Sequence, residues 1–167
     1  MKKYFSAIIS VILLIAIDQY TKFLALTKLK DQGPFVIWDG VFELRYLENR
    51  GAAFGILQNQ QVFFIIMTAI VLIAIAYIYK CTPDTKRFLP LRLTIIFITA
   101  GAIGNMIDRI MRGFVVDFFY FSLIDFPIFN VADIYVTVTF FVLAILLLFV
   151  YKDDELTIYS LKKKTIN

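Results

Sequence analysis

Four apolar runs, each about as long as a membrane span, dominate this chain. They cover residues 4–26, 62–79, 91–107 and 134–151, and the second and fourth hold 18 residues each without a charge. About 20 apolar residues cross a bilayer core of ~30 Å. The chain is 60% hydrophobic with a mean hydropathy of +0.80, and soluble domains are only about 45–50% apolar. We therefore predict an all-α integral membrane protein with helices at about 4–27, 62–80, 90–109 and 131–151.

The four runs belong to one membrane domain over residues 1–167. Lys2 and Lys3 precede the first run as in a signal peptide, but the run is longer than an ordinary signal-peptide core and three more spans follow. We read it as an uncleaved first helix. Segments 28–61 and 110–130 then lie on one side of the membrane, and loop 81–89 lies on the other.

The basic residues indicate which side is cytoplasmic. The two termini and residues 80–92, which are loop 81–89 and its immediate flanks, carry ten of the 17 basic residues and four of the 13 acidic ones. The opposite side carries seven basic and nine acidic residues. Because cytoplasmic segments are enriched in Lys and Arg, we expect both termini in the cytoplasm. Asp117 and Asp133 then lie at the outer side. The basic tail Lys162–Lys164 suits a membrane-surface anchor, and we expect no nucleic-acid binding.

The segment 28–61 carries strand signals rather than a span. Residues 35–38 are apolar, residues 42–47 alternate apolar with charged side chains, and Asp39-Gly40 lies between them. Alternation with period two and an Asp-Gly turn predict a small β-hairpin on the outer membrane surface. Asn49 and Gly51 follow in a glycine-containing segment that suits a tight turn or an ordinary loop. The second outer segment, 110–130, is rich in Phe and Tyr and suits the membrane interface.

Polar residues of three predicted helices come to one depth. A helix rises ~1.5 Å per residue, so Asp18 lies ~22 Å along the first helix, within ~8 Å of the outer surface of a ~30 Å core. Lys22 is one turn higher. Asn105 lies ~6 Å below the outer end of the third helix, and Asp133 lies ~3 Å inside the fourth. Unrelated structural charges have no reason to share a depth, which points to one site.

Each polar residue also has a purely structural interpretation. Asp18 and Lys22 have the spacing of a helical ion pair. Asn130 and Asp133 have the spacing of a capping box. Ala100 and Gly104 suit helix packing.

A structural role explains Asp108 and Arg109 better than it explains Asp117. Asp108 and Arg109 suit the point where a helix leaves the membrane. Asp117 has the weakest structural interpretation, because it lies among Val and Phe without a basic neighbour. Acidic residues beside lipid are costly and often functional.

Five patches of this chain, in order and spacing, resemble the lipoprotein signal peptidase (signal peptidase II) family. They are DQYTK at 18–22, NRGAAF at 49–54, GNMIDR at 104–109, VVDF at 115–118 and FNVAD at 129–133. Each patch alone is weak, but the five together are specific.

The resemblance implies an aspartic peptidase of the bacterial cytoplasmic membrane that cuts diacylglyceryl prolipoproteins just before the lipidated cysteine. It implies Asp117 and Asp133 as the catalytic dyad. The residues expected to bind substrate or support the site are Asp18, Lys22, Asn49, Gly51, Asn105, Asp108, Arg109 and Asn130. It further implies a small extracytoplasmic β cradle, a short outer-surface helix and inhibition by globomycin. We expect a monomer in contact with membrane lipid, without metal or cofactor.

The residues are chemically sufficient for that reaction. The chain has no histidine, but two close carboxylates that share one proton can activate water and protonate a leaving amine. The alternatives are a small proton-coupled transporter or channel, an intramembrane aspartyl protease of the presenilin or prepilin-peptidase type, and an assembly scaffold. A transporter favours ionisable residues near the midplane. The Gly-x-Gly-Asp signature of the presenilin type is missing here.

Overall fold

The computed structural model describes residues 1–51 and 57–159. Residues 52–54 of the NRGAAF patch and the basic tail Lys162–Lys164 lie outside the described residues.

Four long helices form the body of the protein. They are α1 (Lys2–Lys28), α2 (Gln61–Cys81), α3 (Leu89–Arg112) and α4 (Val131–Ile145), and α4 continues as a π-helical turn, Leu146–Val150. All four, with α4 counted through Val150, are long and apolar enough to cross a membrane. The prediction of four long apolar helices is confirmed. A short helix, α5 (Asp153–Leu156), and a 3-10 turn, Thr157–Tyr159, follow.

A small antiparallel sheet lies at one end of the bundle, which we call the sheet end. Its strands are β1 (Phe35–Trp38), β2 (Phe42–Asn49) and β3 (Val115–Tyr120), in the order β1-β2-β3. The predicted hairpin is β1–β2, with Gly40 at φ +67° in the turn. Sequence analysis missed β3, because its first four residues are all buried and show no alternation. A 3-10 turn, Ser122–Ile124, follows β3.

Helix α3 extends past the predicted end at residue 109. It ends at Arg112 because Gly113 adopts the left-handed conformation (φ +75°) and donates its N–H to Arg109 O. This helix packs against α1, α2 and α4, so it is the centre of the bundle. Its residues Ala100, Gly101 and Gly104 are buried, as expected for close helix packing.

Two glycines of α3 have no room for a side chain. A Cβ on Gly101 would lie 2.6 Å from the backbone oxygen of Ala132, and one on Gly104 would lie 2.5 Å from Asp18 Oδ2. Both neighbours belong to elements that carry predicted site residues. The glycines therefore set how closely α1 and α4 approach α3 near the sheet end.

Gly101→Ala is expected to lower the thermal midpoint in detergent, with a destabilisation of about 1–3 kcal/mol, because overpacking must move the α4 backbone. Gly33→Ala is the matched control, since nothing lies within 4 Å of a Cβ there. Equal midpoints for the two variants would contradict the close α3–α4 contact.

Candidate active site

A cavity of about 530 Å³ opens at the sheet end between α3, α4, β2 and β3. It brings together six of the ten residues that the sequence predicts for the site: Asn49, Gly51, Asn105, Arg109, Asp117 and Asp133. Phe126, Phe129 and Leu47 form an apolar side of the same cavity. The cavity therefore presents the carboxylates of Asp117 and Asp133, the partly exposed carboxylate of Glu48 and one guanidinium beside an apolar wall.

Asp117 is held in strand β3 and is 1% exposed. Asn49 Nδ2 donates to its Oδ2 at 2.8 Å, and Asn130 Nδ2 donates to its Oδ1 at 2.6 Å. Burial, and after it the charge of Asp133, raises the pKa of Asp117 to about 7, and the two asparagine bonds oppose the increase. A carboxyl group with this pKa can hold a proton near neutral pH.

Asp133 is the third residue of α4 and takes part in a capping box. Its Oδ2 accepts from the Asn130 backbone N–H at 3.1 Å, and its own N–H donates to Asn130 Oδ1 at 3.0 Å. Its other oxygen, Oδ1, accepts from Asn105 Nδ2 at 2.8 Å. Asp133 therefore does form the capping box that the sequence suggested. The same carboxylate also lines the cavity.

Three asparagines direct their amide NH₂ groups at the carboxylates of Asp117 and Asp133. Each side-chain oxygen is fixed by a donor: Asn49 by the Gly51 N–H at 3.0 Å, Asn105 by Lys22 Nζ at 2.8 Å, and Asn130 by the Asp133 N–H at 3.0 Å. With the oxygen fixed, each NH₂ group must point the other way, towards Asp117 or Asp133. Both carboxylates therefore have a defined orientation.

Asp18, Lys22 and Asp108 form a buried ion cluster behind the cavity, and all three are 0% exposed. Lys22 Nζ lies 2.9 Å from Asp18 Oδ2 and 3.1 Å from Asp108 Oδ2. Arg112 pairs with the other oxygen of Asp108, Oδ1. The predicted Asp18–Lys22 pair thus exists as part of a larger cluster. Asp108 is not at a solvent-exposed helix exit, because it is buried and pairs with both Lys22 and Arg112.

Arg109 lines the cavity and is held by carbonyl groups and a ring. Its Nη2 donates to Gly51 O at 3.2 Å, and its guanidinium carbon lies 4.7 Å from the Phe64 ring centroid. Its buried Nε has no hydrogen-bond partner among residues 1–51 and 57–159. A buried donor at a cavity that lacks a partner within the described part of the chain is suited to a substrate oxygen.

Sequence reasoning missed several residues of the site. Thr137, Gln58 and the aromatic pair Phe126 and Phe129 line the cavity, and the Gln19 amide contacts both Asp18 and Asp108. Thr137 lies one turn after Asp133 on α4, a helical spacing that could have indicated it. Gln19 follows Asp18 directly, and its position in the sequence does not show whether it faces the site or the lipid.

The acidic groups at the cavity suit proton transfer. Within the described part of the chain, no group of three or more His, Cys, Asp or Glu side chains comes together as a metal site. The two carboxylates and their amide donors fit acid–base chemistry on a bound water molecule.

The sequence matches a family model described as "Signal peptidase (SPase) II" over residues 10–149. The lipoprotein signal peptidase of Clostridioides difficile is 46% identical over 142 residues, which cover 85% of this chain and 94% of the relative. That of Streptococcus thermophilus is 43% identical over 148 residues, which cover 88% and 93%. These matches favour the peptidase interpretation over the transporter and scaffold alternatives.

Two solved structures share the fold. One is a bacterial membrane enzyme determined by the in meso method at 2.3 Å resolution, with a TM-score of 0.76 and 33% identity over 95% of this chain and 93% of that chain. The other, also a bacterial membrane enzyme, was determined at 1.9 Å resolution and has a TM-score of 0.75 and 36% identity over 86% and 93%. With four helices of membrane-spanning length, a three-stranded sheet and a cavity that contains Asp117 and Asp133, the chain belongs to the signal peptidase II family of membrane aspartic peptidases.

Proposed function

We propose that Asp117 and Asp133 are the catalytic dyad with which this protein removes signal peptides from diacylglyceryl-modified prolipoproteins. The cut falls just before the lipidated cysteine. One observation carries the assignment: both carboxylates line one cavity, and fixed amide donors orient each of them. The raised pKa of Asp117 supports a shared proton.

In the reaction, the ionised carboxylate takes a proton from a water molecule while the water oxygen bonds to the scissile carbonyl carbon. The protonated partner hydrogen-bonds the developing oxyanion. Collapse of the tetrahedral intermediate then breaks the C–N bond, and the leaving amine of the lipidated cysteine takes up a proton from the dyad. The dyad returns to its starting state with one proton, so the net change is the addition of one water molecule.

The membrane placement of the cavity fits this substrate. With the termini in the cytoplasm, the sheet end faces the outer leaflet. Every residue of β1 is exposed, including Phe35 and Trp38, and Leu123 and Ile124 are exposed in the 3-10 turn after β3. These side chains suit contact with lipid, which supports a role of the sheet as a cradle on the outer surface and of the turn as its short outer helix. The diacylglyceryl chains of the substrate can then stay in the same leaflet.

Cleavage of one lipidated precursor tests this function. The purified wild-type protein in detergent or vesicles should cut the diacylglyceryl precursor and leave the unlipidated precursor intact. Globomycin should stop the reaction. Equal cleavage of both precursors would contradict the proposed substrate, and a stable lipidated precursor would contradict the reaction itself.

The pH dependence of cleavage follows from the raised pKa of Asp117. The dyad is active with one proton, and a group with a pKa of about 7 loses that proton as the pH rises through this value. We expect kcat/KM to fall above about pH 7. The measurement is kcat/KM from about pH 5 to about pH 9, with samples returned to about pH 6 to exclude denaturation. A profile that stays level across this range would contradict the shared-proton mechanism.

Arg109→Ala is expected to raise KM, or the globomycin Kd, by about 10–100-fold, because charged hydrogen bonds contribute about 1.5–3 kcal/mol. The thermal midpoint should change little. Arg45→Ala is the matched control, since Arg45 also lies over an aromatic ring and has a buried Nε but is not a cavity residue. Wild-type affinity in Arg109→Ala would contradict a role in substrate binding and leave Arg109 only its structural contacts with Asn105, Gly51 and Phe64.

A further inference from the structure

The buried ion cluster touches the backbone directly before each aspartate of the proposed dyad. Asp18 Oδ1 accepts from the N–H of Ala132 at 2.9 Å, and Ala132 precedes Asp133. Asp108 Oδ2 accepts from the N–H of Val116 at 3.1 Å, and Val116 precedes Asp117. Two carboxylates on different helices thus make the same contact with the two segments of chain that carry the dyad.

Lys22 joins these two contacts. Its ammonium group has three hydrogens and three acceptors: Asp18 Oδ2 at 2.9 Å, Asp108 Oδ2 at 3.1 Å and Asn105 Oδ1 at 2.8 Å. The third acceptor, Asn105, donates to the Asp133 side chain at 2.8 Å. One ammonium group therefore reaches the backbone beside both dyad residues and the side chain of one of them.

We propose that Lys22 is a positioning residue that sets the separation of Asp117 and Asp133, through Asp18 on the Asp133 side and Asp108 on the Asp117 side. This inference rests on the proposed function of the dyad. We call Lys22, Asp18 and Asp108 the clamp. If Asp18 or Asp108 moves away from Lys22, the backbone that it contacts beside Asp133 or Asp117 moves with it.

The position of the clamp separates it from substrate binding. Asp18, Lys22 and Asp108 are fully buried and are not among the residues that line the cavity. A change in the clamp should therefore alter the geometry of the dyad more than contacts with the substrate. Misplacement of catalytic groups by about 1 Å can cost about 10²-fold in rate. The expected signature is a loss of kcat with little change in KM.

The test variant is the double substitution Lys22→Met with Asp18→Asn. It removes one positive and one negative charge together, and it leaves the Asp108–Arg112 pair in place. The amide oxygen introduced by Asp18→Asn can still accept from Ala132, but the ammonium bridge to Asp108 is gone. Gln19, which donates to Asp18 Oδ2 at 3.1 Å and Asp108 Oδ1 at 3.2 Å, is a weaker second bridge. We expect kcat to fall about 10–100-fold and KM to stay within about threefold.

The matched control is Arg87→Met with Glu155→Gln. This pair is also a close ion pair, with Arg87 Nε 2.8 Å from Glu155 Oε1, but it lies in the segments before α3 and after α4, at the end of the bundle away from the sheet. Its removal is also charge-neutral, and both kcat and KM should stay at wild-type values.

A second variant keeps the proposal testable if the double variant does not fold. Asp18→Asn alone is close in shape and leaves Lys22 paired with Asp108, so it should fold and lose kcat about 3–10-fold at unchanged KM. Wild-type kcat in either folded variant would overturn the proposal. Loss of fold in Asp18→Asn as well would also overturn it, because the cluster would then be structural only. Failure of the dyad itself is recognised separately, by an active Asp117→Asn protein.

Discussion

Asp117→Asn and Asp133→Asn are each expected to lower the cleavage rate of a lipidated precursor by about 10²–10⁴-fold, because an amide can neither take a proton from water nor hold the shared proton. The double variant should lose little more than either single one, since residues that act as a unit are not additive. The readout is the initial rate of signal-peptide release from a purified diacylglyceryl precursor.

The fold should survive these substitutions with small changes. Asp117→Asn places an NH₂ group against Asn49 or Asn130, which both donate to Asp117 in the wild type, so one hydrogen bond is lost there. Asp125→Asn is the matched control, because Asp125 is exposed, lies beyond β3 and contacts Tyr120 rather than the cavity. Substantial activity in either dyad variant would contradict the catalytic assignment.

Lys22→Met alone is expected to cost about 3–5 kcal/mol of stability, since breaking a buried ion pair leaves an uncompensated charge. Three acceptors, on Asp18, Asp108 and Asn105, lose their donor at once. The thermal midpoint in detergent should fall well below the wild-type value. Adding Asp18→Asn should restore much of the loss, because the second substitution removes the unpaired negative charge.

Lys30→Met is the control for this effect. Lys30 pairs with Glu48 at 3.3 Å, but its side chain is 44% exposed, and such surface pairs contribute about 0–1 kcal/mol. Similar midpoints for Lys22→Met and Lys30→Met would contradict the idea that the buried cluster stabilises the bundle.

The helices and the β1–β2 hairpin could be predicted because each has a local signal. Length and apolar content identify a span, and alternation with an Asp-Gly turn identifies a hairpin. Strand β3 has no such signal. Val115, Val116, Asp117 and Phe118 are all buried, so both faces of the strand are covered and the alternation disappears.

The shared depth of Asp18, Asn105 and Asp133 could also be predicted from helical rise, and the structure brings these residues into one hydrogen-bonded network with Lys22. Their partners could not be predicted. That Asp18 reaches the backbone of residue 132, and Asp108 that of residue 116, depends on how α1, α3 and α4 pack. No spacing within one helix carries that information.

Water activation by the dyad can be measured directly in a single turnover, with enzyme in excess over a lipidated precursor, in water enriched in heavy oxygen. We predict that the released signal peptide ends just before the lipidated cysteine and carries one heavy oxygen in its new carboxyl group, because the attacking oxygen comes from water. An unlabelled peptide would contradict the account, since its oxygen would then have come from a protein carboxylate through a covalent intermediate.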